Sequence, residues 1–131
     1  MLDETRSALV KYRLEQAREC YETSVLLLNA DMYKDAANRS YYCVFHAMRS
    51  VLAVDGFDSK KHSGVISAFQ QKYIKTSVFP VEFSKIIRNC FIIRGRSDYE
   101  DFFVISKEDV DIQIENAKTI LTAVEAYVES L

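Results

Sequence analysis

The stretch Ile93-Arg94-Gly95-Arg96-Ser97-Asp98-Tyr99-Glu100-Asp101 puts two guanidinium groups, three carboxylates and a phenol directly behind the apolar run Cys90-Phe91-Ile92-Ile93. An arginine fork takes a phosphate or a carboxylate through parallel N–H groups. The stretch can therefore be a worn active site, an ion-paired helix end or an edge that binds a partner. A second candidate is Arg39-x6-His46. On a helix this spacing covers almost two turns, so both side chains project from one side. There the guanidinium could hold a phosphate, and an imidazole near its ordinary pKa could pass a proton. The plainer reading is that Arg39 and Arg49 pair with Asp35 and nearby acids, with His46 a satisfied helix residue. A third candidate is Lys60-Lys61-His62-Ser63-Gly64 ahead of an apolar stretch. Two lysines and a helix start can hold a phosphate, although such runs are more often solvated loops. No metal site is expected, because His46 and His62 lack the spacing of a helical ligand pair and the cysteines lie in or beside apolar stripes.

These side chains have to be positioned by helices. Gly (3) and Pro (1) are scarce, which predicts long elements with little punctuation. Val10, Leu14, Ala17, Tyr21, Ser24 and Leu28 recur at alternating steps of four and three, one apolar stripe of a helix over 4–29. Asp31 is the expected N-cap of a second helix reaching Val54, with Asp55-Gly56 as its stop. Its core face carries Ala37, Tyr41, Val44 or Phe45, Met48 and Leu52. A separate polar and aromatic stripe carries Asp35, Arg39, Tyr42, His46 and Arg49. A shorter helix is predicted over Ser63–Tyr73, and Pro80 as the first residue of a fourth. On that helix Phe83, Ile87, Cys90 and Arg94 share one face, so Arg94 prolongs an apolar stripe and needs a partner, for which Asp98 four residues on is suited. Ser106-Lys107-Glu108-Asp109 resembles a capping box and opens the last helix, whose stripe is Val110, Ile114, Ala117, Leu121, Val124 and Val128. Phe102-Phe103-Val104 reads as a buried connection. The fold expected is all-α: an up-down bundle of four long helices plus a shorter one, in a single domain over 1–131.

The totals agree with a globule and narrow its partners. A chain of 131 residues that is 49% apolar can bury a core without staples. Net charge is −2, which argues against a protein coated in basic residues, though a local basic patch remains compatible. Cys20, Cys43 and Cys90 are odd in number and far apart, as expected of free thiols in a reducing compartment, and a cytoplasmic location follows. The first residues lack a continuous apolar region, so no signal peptide is expected, and the apolar runs are too short to span a membrane.

Residues Ala36-Ala37-Asn38-Arg39-Ser40-Tyr41-Tyr42-Cys43-Val44-Phe45-His46-Ala47-Met48-Arg49-Ser50-Val51-Leu52 resemble the signature helix of HEPN-domain proteins, in the group of small stand-alone bacterial and archaeal members. The likeness continues in Lys60–Ile66, Phe69 and Val78-Phe79-Pro80, and ends in Arg94-x-x-Ser97-Asp98-Tyr99, which is similar to the family's arginine, small residue, Asp-Tyr element. It covers about residues 10–125. The resemblance implies a helical bundle that is usually a homodimer. Many relatives are paired with a minimal nucleotidyltransferase in toxin–antitoxin systems. Active members are endoribonucleases that need no metal or other cofactor and use an arginine followed, after four to six residues, by a histidine.

This chain departs from that motif. The only histidines are His46 and His62, both upstream of Arg94. Asp98 and Tyr99 stand where a histidine is expected, and neither titrates near neutral pH without a large shift. Arg94, Asp98 and Tyr99 are thus the catalytic candidates by position, with Arg39 and His46 behind them. Arg94, Arg96, Tyr99, Lys60 and Lys61 are the candidates for binding RNA or a nucleotide. The expectation is a degenerate, non-catalytic member that binds its partner protein and RNA or nucleotide. The rival expectations are an active endoribonuclease and a structural interaction module. In some family pairs the nucleotidyltransferase modifies a tyrosine of its partner, and Tyr99 is the nearest equivalent.

Overall fold

The computed structural model describes residues 2–131. Among them lie five α-helices: α1 (Glu4–Asn29), α2 (Tyr33–Val54), α3 (His62–Phe69), α4 (Glu82–Tyr99) and α5 (Lys107–Glu129). The all-α bundle of four long helices and a short one is as the spacing predicts. Asp3 caps α1 by accepting the Arg6 N–H at 2.7 Å, and Ser106 caps α5 by accepting the Asp109 N–H at 3.1 Å. Gly56, with φ of +73°, ends α2 in the left-handed region, where a glycine meets no steric penalty.

Four local expectations are corrected. Asp31 is not the N-cap of α2; that position is Met32, which has no side chain able to cap. The chain has only three residues in which to reverse, and Asp31 takes the left-handed conformation there, with φ of 61°. Pro80 lies ahead of α4 rather than inside it, and its carbonyl accepts the Phe83 N–H at 3.1 Å. The short helix begins at His62 and widens into a π-helical turn at Gln70–Ile74, where the Lys75 N–H reaches back to the Gln70 carbonyl. This widening turns Tyr73 and Ile74 inward behind Phe69, so that Phe69, Tyr73 and Phe79 stack as one aromatic layer. Finally, Phe102-Phe103-Val104 is not a buried connection. Phe103 is half-buried and Ile105 buried, but Phe102 is 96% and Val104 85% exposed.

The bundle is organised around α2, which packs against α1, α3, α4 and α5. Its buried residues cover most of its circumference, with Tyr41, Val44, Ala47, Met48 and Val51 fully enclosed. Small residues permit that closeness. Ala17 on α1 and Ala36, Ala37, Ala47, Ser40 and Ser50 on α2 are all inaccessible to solvent. The Ser50 hydroxyl satisfies the Val10 carbonyl of α1 at 3.0 Å. On the other side the buried Gln113 of α5 donates its amide to the Ala37 carbonyl at 3.0 Å and to Ser40 Oγ at 2.7 Å. Arg18 ties α1 to α5 through Glu125 at 2.7 Å. The three cysteines are free and buried, and burial pushes the Cys90 thiol up to about 12, which leaves it protonated and inert. Among the described residues no helix is long and apolar enough to cross a membrane.

Because Ala47 has no accessible surface, a longer side chain there must displace its neighbours. Ala47→Leu is expected to lower the free energy of unfolding by about 1–3 kcal/mol in a urea titration. A change below about 0.5 kcal/mol would show that the interior of α2 has slack that close packing excludes.

Candidate functional site

The half-buried strip of α2, the start of α3 and the last turns of α4 together build a layer of aromatic rings and cations. Arg94 enters it from α4. Its guanidinium carbon lies 5.7 Å from the ring centres of both Tyr41 and Tyr42, and its Nη2 donates to the Tyr42 hydroxyl at 3.2 Å. Asp98 Oδ2 stands 3.1 Å from Arg94 Nε, one turn further along the helix. That N–H makes no directed hydrogen bond, so the contact is an ion pair held by distance rather than by alignment. The other oxygen of Asp98 accepts from Asn38 Nδ2 at 3.4 Å. α4 therefore persists past Gly95, and the expected pairing of Arg94 with Asp98 is present. With only 20% of its side chain exposed, Arg94 is largely enclosed by these partners.

His62 completes the layer from a position far away in sequence. Its ring stacks on Phe45 with centres 4.2 Å apart, and its Nδ1 is 2.7 Å from the Tyr41 hydroxyl. Burial raises the Tyr41 phenol well above its usual range, so it keeps its proton and shares one hydrogen bond with the imidazole. His62 is reached by the loop after α2, which is pinned by one carboxylate. Asp58 Oδ2 takes the buried Arg13 of α1 at 3.1 Å and Arg49 of α2 at 3.3 Å. Both arginines and the Ser59 N–H hold the Asp58 carboxyl below its ordinary value against the opposing effect of burial, which is the largest single influence on it.

Along the rest of the α2 strip two arginines bracket a run of rings. Arg39 lies over Tyr42 at 4.8 Å, Tyr42 and His46 have ring centres 6.0 Å apart, and Arg49 lies 5.8 Å from the Phe45 ring centre. Asp35 takes no part. Arg39 is bonded to the neutral amide oxygen of Asn38, at 2.8 Å from Nη2, and Arg49 to Asp58. The plainer pairing with Asp35 is thus replaced by one neutral and one shared partner. His46 Nδ1 is buried with no hydrogen-bond partner in the chain. Burial first, then the charges of Arg49, Arg39 and Arg13, push the His46 imidazole down to about 4. His62 is also lowered, by burial and then by Arg94 and Arg49.

Of the residues singled out by sequence, the structure brings together Arg94 with Asp98, and Arg39 with His46 along one strip. It does not bring Arg96 or Tyr99 into the layer. Arg96 is bound to Glu100 at 2.6 Å and lies over Phe103, while Tyr99 is 78% exposed. Lys60 and Lys61 are exposed at the entry to α3. Sequence reasoning missed Tyr41 and Tyr42 as partners of Arg94 and Asn38 as a partner of Asp98, and missed that His62 reaches the same layer. The one available signal was the double tyrosine on a helix otherwise filled with small and aliphatic core residues.

The family model of the HEPN domain matches residues 10–127. The chain belongs to the HEPN-domain family. It is 32% identical over 96% of both chains to a UPF0332 protein of Thermotoga maritima. It is 30% identical to a Methanocaldococcus jannaschii protein named "Putative toxin", over 89% of this chain and 80% of that one. A crystal structure of an archaeal HEPN homologue superposes with a TM-score of 0.72 over 91% of this chain and 97% of the other, at 19% identity, which shows a shared fold. The bundle read from the spacing is thus the HEPN bundle.

The depressed imidazoles make stability depend on pH. His46 is neutral in the folded chain down to about 4 but takes up a proton near 6.5 when unfolded. The unfolded state therefore binds more protons between these values, and stability is full above pH 6.5 and lost as pH falls towards 4. Allowing for the partial exposure of the ring, the loss is on the order of 1–2 kcal/mol. His46→Gln should flatten this slope in urea titrations across that range. A His46 ring titrating near its ordinary value by NMR would sink the account.

Proposed function

We propose that this HEPN protein is the binding member of a toxin–antitoxin-type pair. It holds RNA or nucleotide phosphates over the α2 strip and binds a partner protein, a minimal nucleotidyltransferase by the family resemblance. The observation that carries the phosphate half is the charge of that strip. Among the described residues Arg39, Arg49 and Arg94 on or over the strip, with Lys60 and Lys61 exposed beside it, meet only two carboxylates, Asp58 and Asp98, in a chain whose net charge is −2. Arginines bracket rings there, groups that can pair phosphates and stack bases. The relative named as a toxin is in keeping with this class.

Catalysis is the weaker reading, and one observation favours it. His62 lies in the same layer as Arg94 through Tyr41, so an arginine and a histidine meet in space although they do not in sequence. The obstacle is protonation. Both imidazoles are depressed, so at neutral pH neither arrives carrying a proton to give to a leaving group.

RNA titration followed by fluorescence anisotropy tests the proposal. Single-stranded RNA should bind the wild type with a negative dependence on salt. Arg39→Ala and Arg49→Ala should each weaken it about five- to tenfold and reduce the salt slope by about one. Tight binding unaffected by both changes would move the site elsewhere. Incubation of the same RNA without metal decides between the readings: intact RNA is expected, and cleavage abolished by His62→Ala would establish the enzyme instead.

A further inference from the structure

Gln113 carries a buried hydrogen-bond acceptor that no donor among the described residues uses. Its orientation is fixed by α2. The Ser40 hydroxyl gives its proton to the Ala37 carbonyl at 2.7 Å, so its oxygen is left to accept. The end of Gln113 that meets Ser40 Oγ at 2.7 Å and the Ala37 carbonyl at 3.0 Å is therefore the amide NH2. The carbonyl Oε1 is the other end, turned away from both, in a residue only 4% exposed. Buried acceptors are seldom left unpaired in this way. Gln113 lines a groove of about 230 Å³ between α4 and α5, helices that pack on each other less extensively than either packs on α2. Helical spacing makes both walls. Asp109, Gln113 and Asn116 recur at steps of four and three on α5, as do Ile86, Cys90 and Ile93 on α4, with Asn89 beside them. Ile92 and Ile112, both exposed, form the rim.

We propose that this groove binds a small primary amine with an apolar body, its ammonium held by Gln113 Oε1 and Asp109 and its body laid between the isoleucines. The lining chooses the ligand. An ammonium has three donors and no acceptor, and the floor offers an acceptor. Asp109 is the only charged residue of the lining, and it enters no ion pair among the described residues. A phosphate or carboxylate would meet that charge with no cation in the lining to offset it. The cations nearby do not reverse this balance. Arg96 is held by Glu100 at 2.6 Å and lies over Phe103. Lys107 and Lys118 each stand two residues from a lining residue, about 200° round α5. Glu108 and Glu115 flank Ile112 on the near side of α5, while Glu82 and Lys85 in the first turn of α4 offset one another. The volume somewhat exceeds the about 150 Å³ that takes up a benzene ring, so it suits one ring or a short alkyl chain. The groove shares no residue with the α2 strip and does not depend on phosphate binding there.

The test follows the amide signals of the isotope-labelled full chain by NMR while hexylamine is added near neutral pH, with hexanol and hexanoate as probes of matched length. Hexylamine should saturate and move the Gln113 side-chain amide together with the backbone amides of Ile93, Asp109 and Asn116. Hexanol should bind about fivefold more weakly or worse, and hexanoate not at all. Asp109→Asn removes the charge at an exposed position, and Asn116→Phe fills the groove. Each should weaken hexylamine by about fivefold or more with RNA affinity unchanged. No saturation by hexylamine, equal binding of hexanoate, or an affinity unmoved by Asp109→Asn would overturn the proposal. A lysine-bearing peptide that binds where hexylamine does not would overturn it too, giving the groove to a protein partner.

Discussion

A helix enclosed by four others has almost no surface left for polar groups, and α2 is such a helix. Its small residues let α1 approach and the Gln113 amide lock α5 against it. What remains free is one strip, and every charged group of the candidate site is either on that strip or reaches towards it. The geometry of the site is therefore set by the packing of the core. Rings on α2 that are buried on one edge present the other to the cations, and a guanidinium over a ring is stabilised by about 0.5–2 kcal/mol depending on how far it is desolvated.

The same enclosure explains the state of the titratable groups. A histidine placed among arginines beside a core is driven neutral by two causes acting in one direction, burial and like charge. Asp98, the Tyr42 hydroxyl and two ring faces surround the Arg94 guanidinium. Removing a carboxylate of this kind leaves a half-buried cation with fewer partners, which is why the Asp98 position bears on the fold as well as on any ligand.

The bundle was legible because its stripes repeat at helical spacing for five or six positions, and because Ser106 is an unambiguous start and Gly56 an unambiguous stop. The errors fell at junctions. Asp31 has a capping side chain, yet the shortness of the reversal decided its conformation. The π-helical turn left no mark in the periodicity, since it shifts the register of a single turn. Within the site, the pair Arg94 and Asp98 was readable because both lie on one helix four residues apart. Tyr41 with His62, and Asp58 with Arg13, were not, because these contacts join distant segments and no spacing encodes them. Phe102 and Val104 misled for a different reason: an apolar run is ordinarily core, and only the backbone path shows which of its residues face outward.

Asp58 has a wider significance. One surface carboxylate serves as counter-ion to guanidiniums from two helices while also fixing the loop that carries His62. A change to asparagine would keep the loop's hydrogen-bonding shape and strip the charge, raising the electrostatic potential of the whole strip without touching a residue on it. The attraction of this face for polyanions can thus drift by point substitution in a loop, while the helices that define the family stay as they are.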